Sequence, residues 1–172
     1  MAEGLTTKVR FDDREFRRLM RRAQGLDFRP AFEATGSHMV ESIHQTFEQQ
    51  GRPQRWVPLA ATTLYQRAGG TVGRVFRQRG GGLKKRAEKK ILGAKILMRT
   101  GRLLRSITYR ATSDEAEVGT KLPYAAIHHF GGMAGRGKEV EIPARPYAQI
   151  HMGDRSSIYD IFTNFMKREL EA

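Results

Sequence analysis

The sequence predicts an α+β domain in which an antiparallel sheet is packed by a long helix from the N-terminal half and by a C-terminal helix. Behind Pro30, the apolar residues Phe32, Met39, Val40, Ile43 and Phe47 recur at three- and four-residue steps. A second set with helical spacing, Ile158, Ile161, Phe162 and Phe165, lies near the end of the chain. Between them, short stretches alternate polar and apolar residues and are separated by turn formers, as strands of a half-buried sheet would be. With 172 residues the chain fits a single domain, 1–172, which buries about 70% of the surface its unfolded form exposes.

Taken in order, the stretch near 7–11 (Val9, Phe11) reads as a first strand, and "DDREFRRLMRRAQ" as a helix with acids at its start, arginines at its end and Gly25 as its stop. The helix over 30–50 runs roughly five turns and ends at Gly51, before Pro53. Pro53 and Pro58 then hold extended backbone on both sides of Trp56, and Thr62 or Thr63 caps a short helix reaching Arg67. Six glycines among arginines fill 69–82, a composition that builds no core and reads as a mobile arm within a basic insert over 69–90. Helical spacing resumes over 83–98 with Leu83, Ala87, Ile91, Ala94 and Met98 on one side. Strands follow near 104–112 and 115–120, turning at "SDE", then a strand near 138–143 that ends at Pro143 and Pro146. "RSSIYDIFTNFMKREL" forms the last helix.

The net charge of +13 is unevenly distributed. Residues 61–110 hold 14 Lys and Arg against one acid, Glu88, whereas 1–60 hold 10 against 8 and 111–172 hold 7 against 9. Solvated helices usually mix signs and gain from i,i+4 pairs, so a one-signed segment points to contact with a polyanion, the alternatives being an acidic protein neighbour or mere solubility. Arg74, Arg77, Arg79, Lys84, Lys85, Arg86, Lys89 and Lys90 are the expected contacts. With Phe76 as the only aromatic nearby, a nucleic acid would be met through its backbone phosphates, without base reading.

Catalytic and metal chemistry are poorly supplied. The chain has no cysteine, so disulfides and thiolate metal sites are excluded. His128 and His129 are adjacent, which puts them on opposite sides of a strand or about 100° apart on a helix. His151 and Asp154 could join one of them in a zinc-dependent hydrolase, but no HExxH or comparable spacing is present. "GGMAGRGKE" lacks the phosphate-loop pattern, and no serine sits in a G-x-S-x-G elbow. The apolar runs are too short to span a bilayer, and the opening residues have no signal-peptide centre. The expectation is therefore of a non-enzymatic protein made in the cytoplasm, with no cofactor, metal, membrane or small-molecule substrate.

Four stretches in order, "FEQQGRPQRWVPLAATTL" (47–64), "KILMRTGRLLRSITYR" (95–110), "VGTKLPYAAIHHFGG" (118–132) and "EIPARPYAQI" (141–150), resemble the phage virion morphogenesis family, the tail-completion proteins of Mu-like and related tailed phages. The resemblance covers about residues 30–150 and leaves the basic insert outside it. It implies a structural protein of the virion neck or tail end, acting as a ring, six-fold favoured, between tail-tube and head-connector proteins. It also makes residues 124–132 an assembly segment.

A closed ring needs heterologous contacts, one surface of each copy meeting a different surface of the next. The expected assembly residues are Trp56, Arg102, Arg105, Tyr124, His128, Phe130, Pro143, Arg145 and Pro146. The prolines stiffen "IPARP" with Arg145 projecting between them, while Trp56 anchors its loop in the core or at a subunit seam. In a ring, the positive middle third would form a collar around the DNA passage. The rival expectation is a free, sequence-independent nucleic-acid-binding protein using residues 61–110.

Overall fold

A computed structural model describes residues 25–70, 75–76 and 82–171. The strand expected near 7–11, the helix after it, and Arg74, Arg77 and Arg79 lie outside the described residues. Helix α1 (Arg29–Glu48) starts with Pro30 in its first turn, where the missing N–H costs nothing, and the Asp27 carboxylate accepts the Arg29 N–H at 3.0 Å. Its buried face carries Ala31, Thr35, Met39, Ser42, Ile43, Thr46 and Phe47. The two buried threonines satisfy their hydroxyls within the helix, on the carbonyls of Ala31 (2.9 Å) and Ser42 (3.0 Å).

Helices α2 (Ala61–Ala68), α3 (Lys85–Leu92), α4 (Arg102–Arg105) and α5 (Ala125–Phe130) are short, and α6 (Met152–Glu171) closes the described chain. The strands are β1 (Thr108–Ala111), β2 (Ala116–Gly119), β3 (Gly132–Ala134) and β4 (Val140–Ile142). The α+β class and the two long helices agree with the expectation. The expected single sheet does not: β1 pairs with β2 and β3 with β4, as two separate antiparallel ribbons. Strands of three or four residues pair with the neighbour that closes the shortest loop, and the second ribbon needs no more than the turn at Arg136–Lys138. Residues 104–107, expected to be strand, belong instead to the end of α4 and the step after it, because Leu103 and Ile107 bury together at helical spacing.

α1 is flanked by α6 and by the β1–β2 ribbon, whose Tyr109 ring lies across α1 at Gly36. Against α6 the contact is aromatic: Phe32 meets Phe162 edge-on at 5.1 Å, and Phe28 meets Phe165 at 5.4 Å. Asp154, 5% exposed, closes this joint from the first turn of α6. Its carboxylate accepts the His151 N–H at 2.7 Å, and His38 Nε2 stands 3.2 Å away without hydrogen-bond alignment. Burial pushes its pKa up, but the His151 N–H, the Ser42 hydroxyl and the charges of Arg52 and His151 outweigh that and leave it below the ordinary aspartate value.

The main core gathers Ile43, Phe47, Trp56, Ile96, Leu103, Ile107, Ala125 and Tyr147. Phe47 is fully buried, with the Trp56 ring edge-on at 5.5 Å and the Tyr147 ring at 5.3 Å. Of the two places open to Trp56, the core is the one it occupies, 6% exposed, and its indole N–H donates to the Pro146 carbonyl at 3.0 Å. Gly51 makes the turn from α1 to Trp56. Its φ is +115°, and a side chain there would lie 2.5 Å from the Gln54 carbonyl oxygen and 2.6 Å from the Trp56 nitrogen.

The helix expected over 83–98 stops at Leu92, with Gly93 as its cap. Ile96, Leu97 and Met98 leave the α3 face and join the main core, and the Ile96 N–H is taken by the Gln50 side chain. The expectation that 69–82 builds no core is corrected at Val75, which is 1% exposed. With Ala68 and Ala87 it forms a second cluster, flanked by Tyr65, Phe76, Leu83 and Ile91. Two apolar residues among many glycines escape a compositional average.

Trp56→Ala removes the ring from a packed site and should cost about 3–5 kcal/mol, whereas Trp56→Phe gives up mainly the bond to Pro146 and should cost about 1 kcal/mol. Urea unfolding of the two variants beside the parent chain measures both.

Candidate functional site: a cationic cavity where the motif segments meet

The chain from Trp56 onward and the chain around Arg145 run against each other. Arg145, expected to project from between Pro143 and Pro146, is instead 7% exposed. Its N–H donates to the His128 carbonyl at 2.9 Å, and its guanidinium donates from Nε and Nη2 to the Val57 carbonyl at 3.4 and 3.2 Å. Gly131 permits this approach: with φ +76°, its missing side chain would stand 2.7 Å from the Ala144 nitrogen.

Beside Arg145 opens a cavity of about 700 Å³, walled by the 57–63 segment, Arg67, Arg99 and Thr100, Tyr124 and His128 of the α5 region, and the 140–145 segment. Three arginines line it, Arg145 buried, Arg67 half-buried and Arg99 exposed. Burial and then the neighbouring Arg67 charge lower the pKa of Arg145, and burial followed by the Arg99 charge lowers that of Arg67. Arg67 donates to the Lys95 carbonyl at 2.7 Å, so it too is held by backbone oxygen. The ion pairs formed among the described residues are Arg110–Glu117 and Arg168–Glu169, neither of which involves these arginines. Glu141 lines the cavity but stays beyond ion-pair distance of all three.

The adjacent histidines sit on α5 and take different environments. His128 lines the cavity, meets the Tyr124 ring edge-on at 5.9 Å, and keeps a buried Nδ1 with no hydrogen-bond partner among the described residues. His129 faces inward, packed edge-on to Tyr147 at 5.0 Å, and its Nδ1 accepts the N–H groups of Tyr147 and Ala148 at 3.4 and 3.5 Å. Burial lowers the pKa of both, helped at His128 by the Arg145 charge, which favours the neutral imidazole. Tyr147 donates its hydroxyl to the Ala125 carbonyl at 3.1 Å, and burial raises its pKa. Among the described residues no three His, Cys, Asp or Glu side chains gather as metal ligands, and no described helix is long and apolar enough to cross a membrane.

The other expected residues divide between surface and interior. Tyr124 is 36% exposed at the cavity, with Val57 and Val140 exposed around it, and Phe130 is 76% exposed. Pro143 lines the cavity, while Pro146 lends its carbonyl to Trp56. Arg102 is exposed, and Arg105, also exposed, donates to the Thr100 carbonyl at 2.8 Å. Lys84, Lys85, Arg86, Lys89 and Lys90 are exposed around α3, whose inward residue is Ala87. Arg67 and Arg99 were not singled out in the sequence. Both lie inside the basic third, and charge counting does not separate an arginine that turns into a cavity from one that faces water.

Because the folded pKa of each histidine lies below its unfolded value near 6.5, the unfolded chain takes up protons first as pH falls. Stability present above that pH should be lost below it, and Asp154 should add a second loss in more acidic solution. The urea midpoint should therefore drop between about pH 7.5 and 5, and a His128→Asn/His129→Asn double variant should flatten that drop.

No solved structure matches the chain. A curated relative, "Mu-like prophage FluMu G protein 2" of Haemophilus influenzae, is 45% identical over 71 residues, which cover 41% of this chain and 51% of that protein, so the match spans about half the relative's length. The description of the phage virion morphogenesis family matches residues 13–167, a span that includes every wall of the cavity and both core clusters. By that match the chain belongs to the phage virion morphogenesis family, whose members are structural proteins of virion assembly and not a family of enzymes.

Proposed function

We propose that this protein completes or terminates the phage tail and joins it to the head, acting as a ring around the DNA passage, with six copies favoured. The observation that carries this reading is the presence of two unlike cationic surfaces on one chain. The face of α3 offers Lys85, Arg86, Lys89 and Lys90 to solvent, as a lining beside DNA would. The cavity lined by Arg67, Arg99 and the buried Arg145 is bordered by the exposed apolar side chains Val57 and Val140, which suits a protein neighbour. Tail-tube and head-connector proteins are the neighbours in this reading, and the virion neck or tail end is the place.

A second reading, a sequence-independent nucleic-acid-binding protein of the cell, draws on the α3 face alone. The two readings separate by experiment. On the tail reading, a phage lacking this gene product yields filled heads and tails that do not join, or tails of irregular length, and a map of the intact particle shows the chain at the junction. On the second reading, particles form without the chain, and the purified protein binds duplex DNA with log affinity falling against log salt by about 0.9 per phosphate neutralised.

A further inference from the structure

Arg145 is nine-tenths buried, yet its charge meets only a carbonyl oxygen. Of the five N–H donors on a guanidinium, two are used on Val57. Arg67 and Arg99 add like charge to the same cavity, and His128 leaves a buried nitrogen beside them without a partner. Burying Arg145 beside two further arginines costs free energy that an incoming carboxylate would recover, since a buried charge is costly unless it is paired. We infer that this cavity receives the two carboxylates at the tip of the β1–β2 ribbon, Asp114 and Glu115, from a second copy of this chain.

The tip has the complementary chemistry. Asp114 and Glu115 are the only acids adjacent in sequence among the described residues; both are exposed, and neither has an ion-pair partner there. Thr112 holds the turn rigid: its N–H donates to the Glu115 carbonyl at 2.9 Å, and its hydroxyl accepts the N–H groups of Asp114 and Glu115 at 3.3 and 3.2 Å. A preorganised tip loses little entropy on docking. DNA phosphates fit the cavity poorly, because phosphate contacts are made by exposed bases, whereas a recessed arginine and a tyrosine behind apolar neighbours match the centre of a protein interface. Tip into cavity is also a contact between two different surfaces, the kind that closes a ring. On that point the inference rests on the ring reading above.

The test uses the free chain and a synthetic peptide of residues 112–117, "TSDEAE", with both ends blocked, followed by NMR. The expected result is saturable shifts of the Thr62, Thr63, Tyr124 and His128 signals, with a dissociation constant of about 1 mM. A peptide carrying Asp114→Asn and Glu115→Gln should bind about tenfold more weakly or worse, as should the acidic peptide to an Arg67→Gln/Arg99→Gln chain, whose altered residues spare the main core. Shifts elsewhere, equal binding of the doubly substituted peptide, which keeps only Glu117 as an acid, or inorganic phosphate binding more tightly than the peptide would overturn the inference. Because this experiment needs no particle, its result is independent of where the protein sits in the virion. Binding with the chain absent from virions would sink only the tail reading; a chain present in virions that ignores the peptide would sink only this contact.

Discussion

The hydrogen bond from the Trp56 indole to the Pro146 carbonyl joins residues 90 positions apart, and much of the rest of the fold is arranged around it. It forms where the indole has Phe47 against it, so that one aromatic side chain ties the end of α1, the proline-bounded loop and the segment before α6 into one junction. Arg145 and Val57 repeat the tie one residue away on each strand of chain, 88 positions apart in sequence. Two polar bonds across an apolar junction contribute modestly to stability, but they set register, because any slip would leave a buried N–H or guanidinium unpaired.

That register explains why the four family-like stretches matter. Phe47, Trp56 and Leu59 come from the first, Ile96, Leu103 and Ile107 from the second, Val118, Leu122 and Ala125 from the third, and Tyr147 from the fourth, and all belong to the same cluster or pack on it. The motifs are pieces of one core before they are pieces of an interface. Their polar members, Arg145 and His128, are carried by the same packing to the wall of a cavity. The junction therefore builds the fold and, at its edge, the surface offered to a neighbour.

The basic third of the chain proves to be two things. Around α3, the exposed lysines and arginines ride on a small cluster pinned by Val75 and Ala87, so the charge is displayed on a packed element. Arg67, half-buried, lines the cavity together with the buried Arg145 and the exposed Arg99, and there burial, followed by the Arg145 charge, lowers the pKa of His128. Charge in the two places has different consequences: exposed charge is screened by salt, and recessed charge much less so.

The sequence by itself determined the class of fold, the two long helices and the segregation of charge, because periodicity and composition record which residues avoid water and how the charges are divided; the family came through the resemblance of four motif stretches. Through that resemblance Tyr124, His128 and Arg145 were among the expected assembly residues. What only the tertiary structure decided was pairing. Whether strands of three or four residues join one sheet or two depends on which loops close, whether Arg145 projects or is buried depends on a carbonyl 88 residues away, and whether Arg67 lines a cavity depends on how α2 packs. Those outcomes are set by contacts between residues distant in the chain, and no local pattern carries that information.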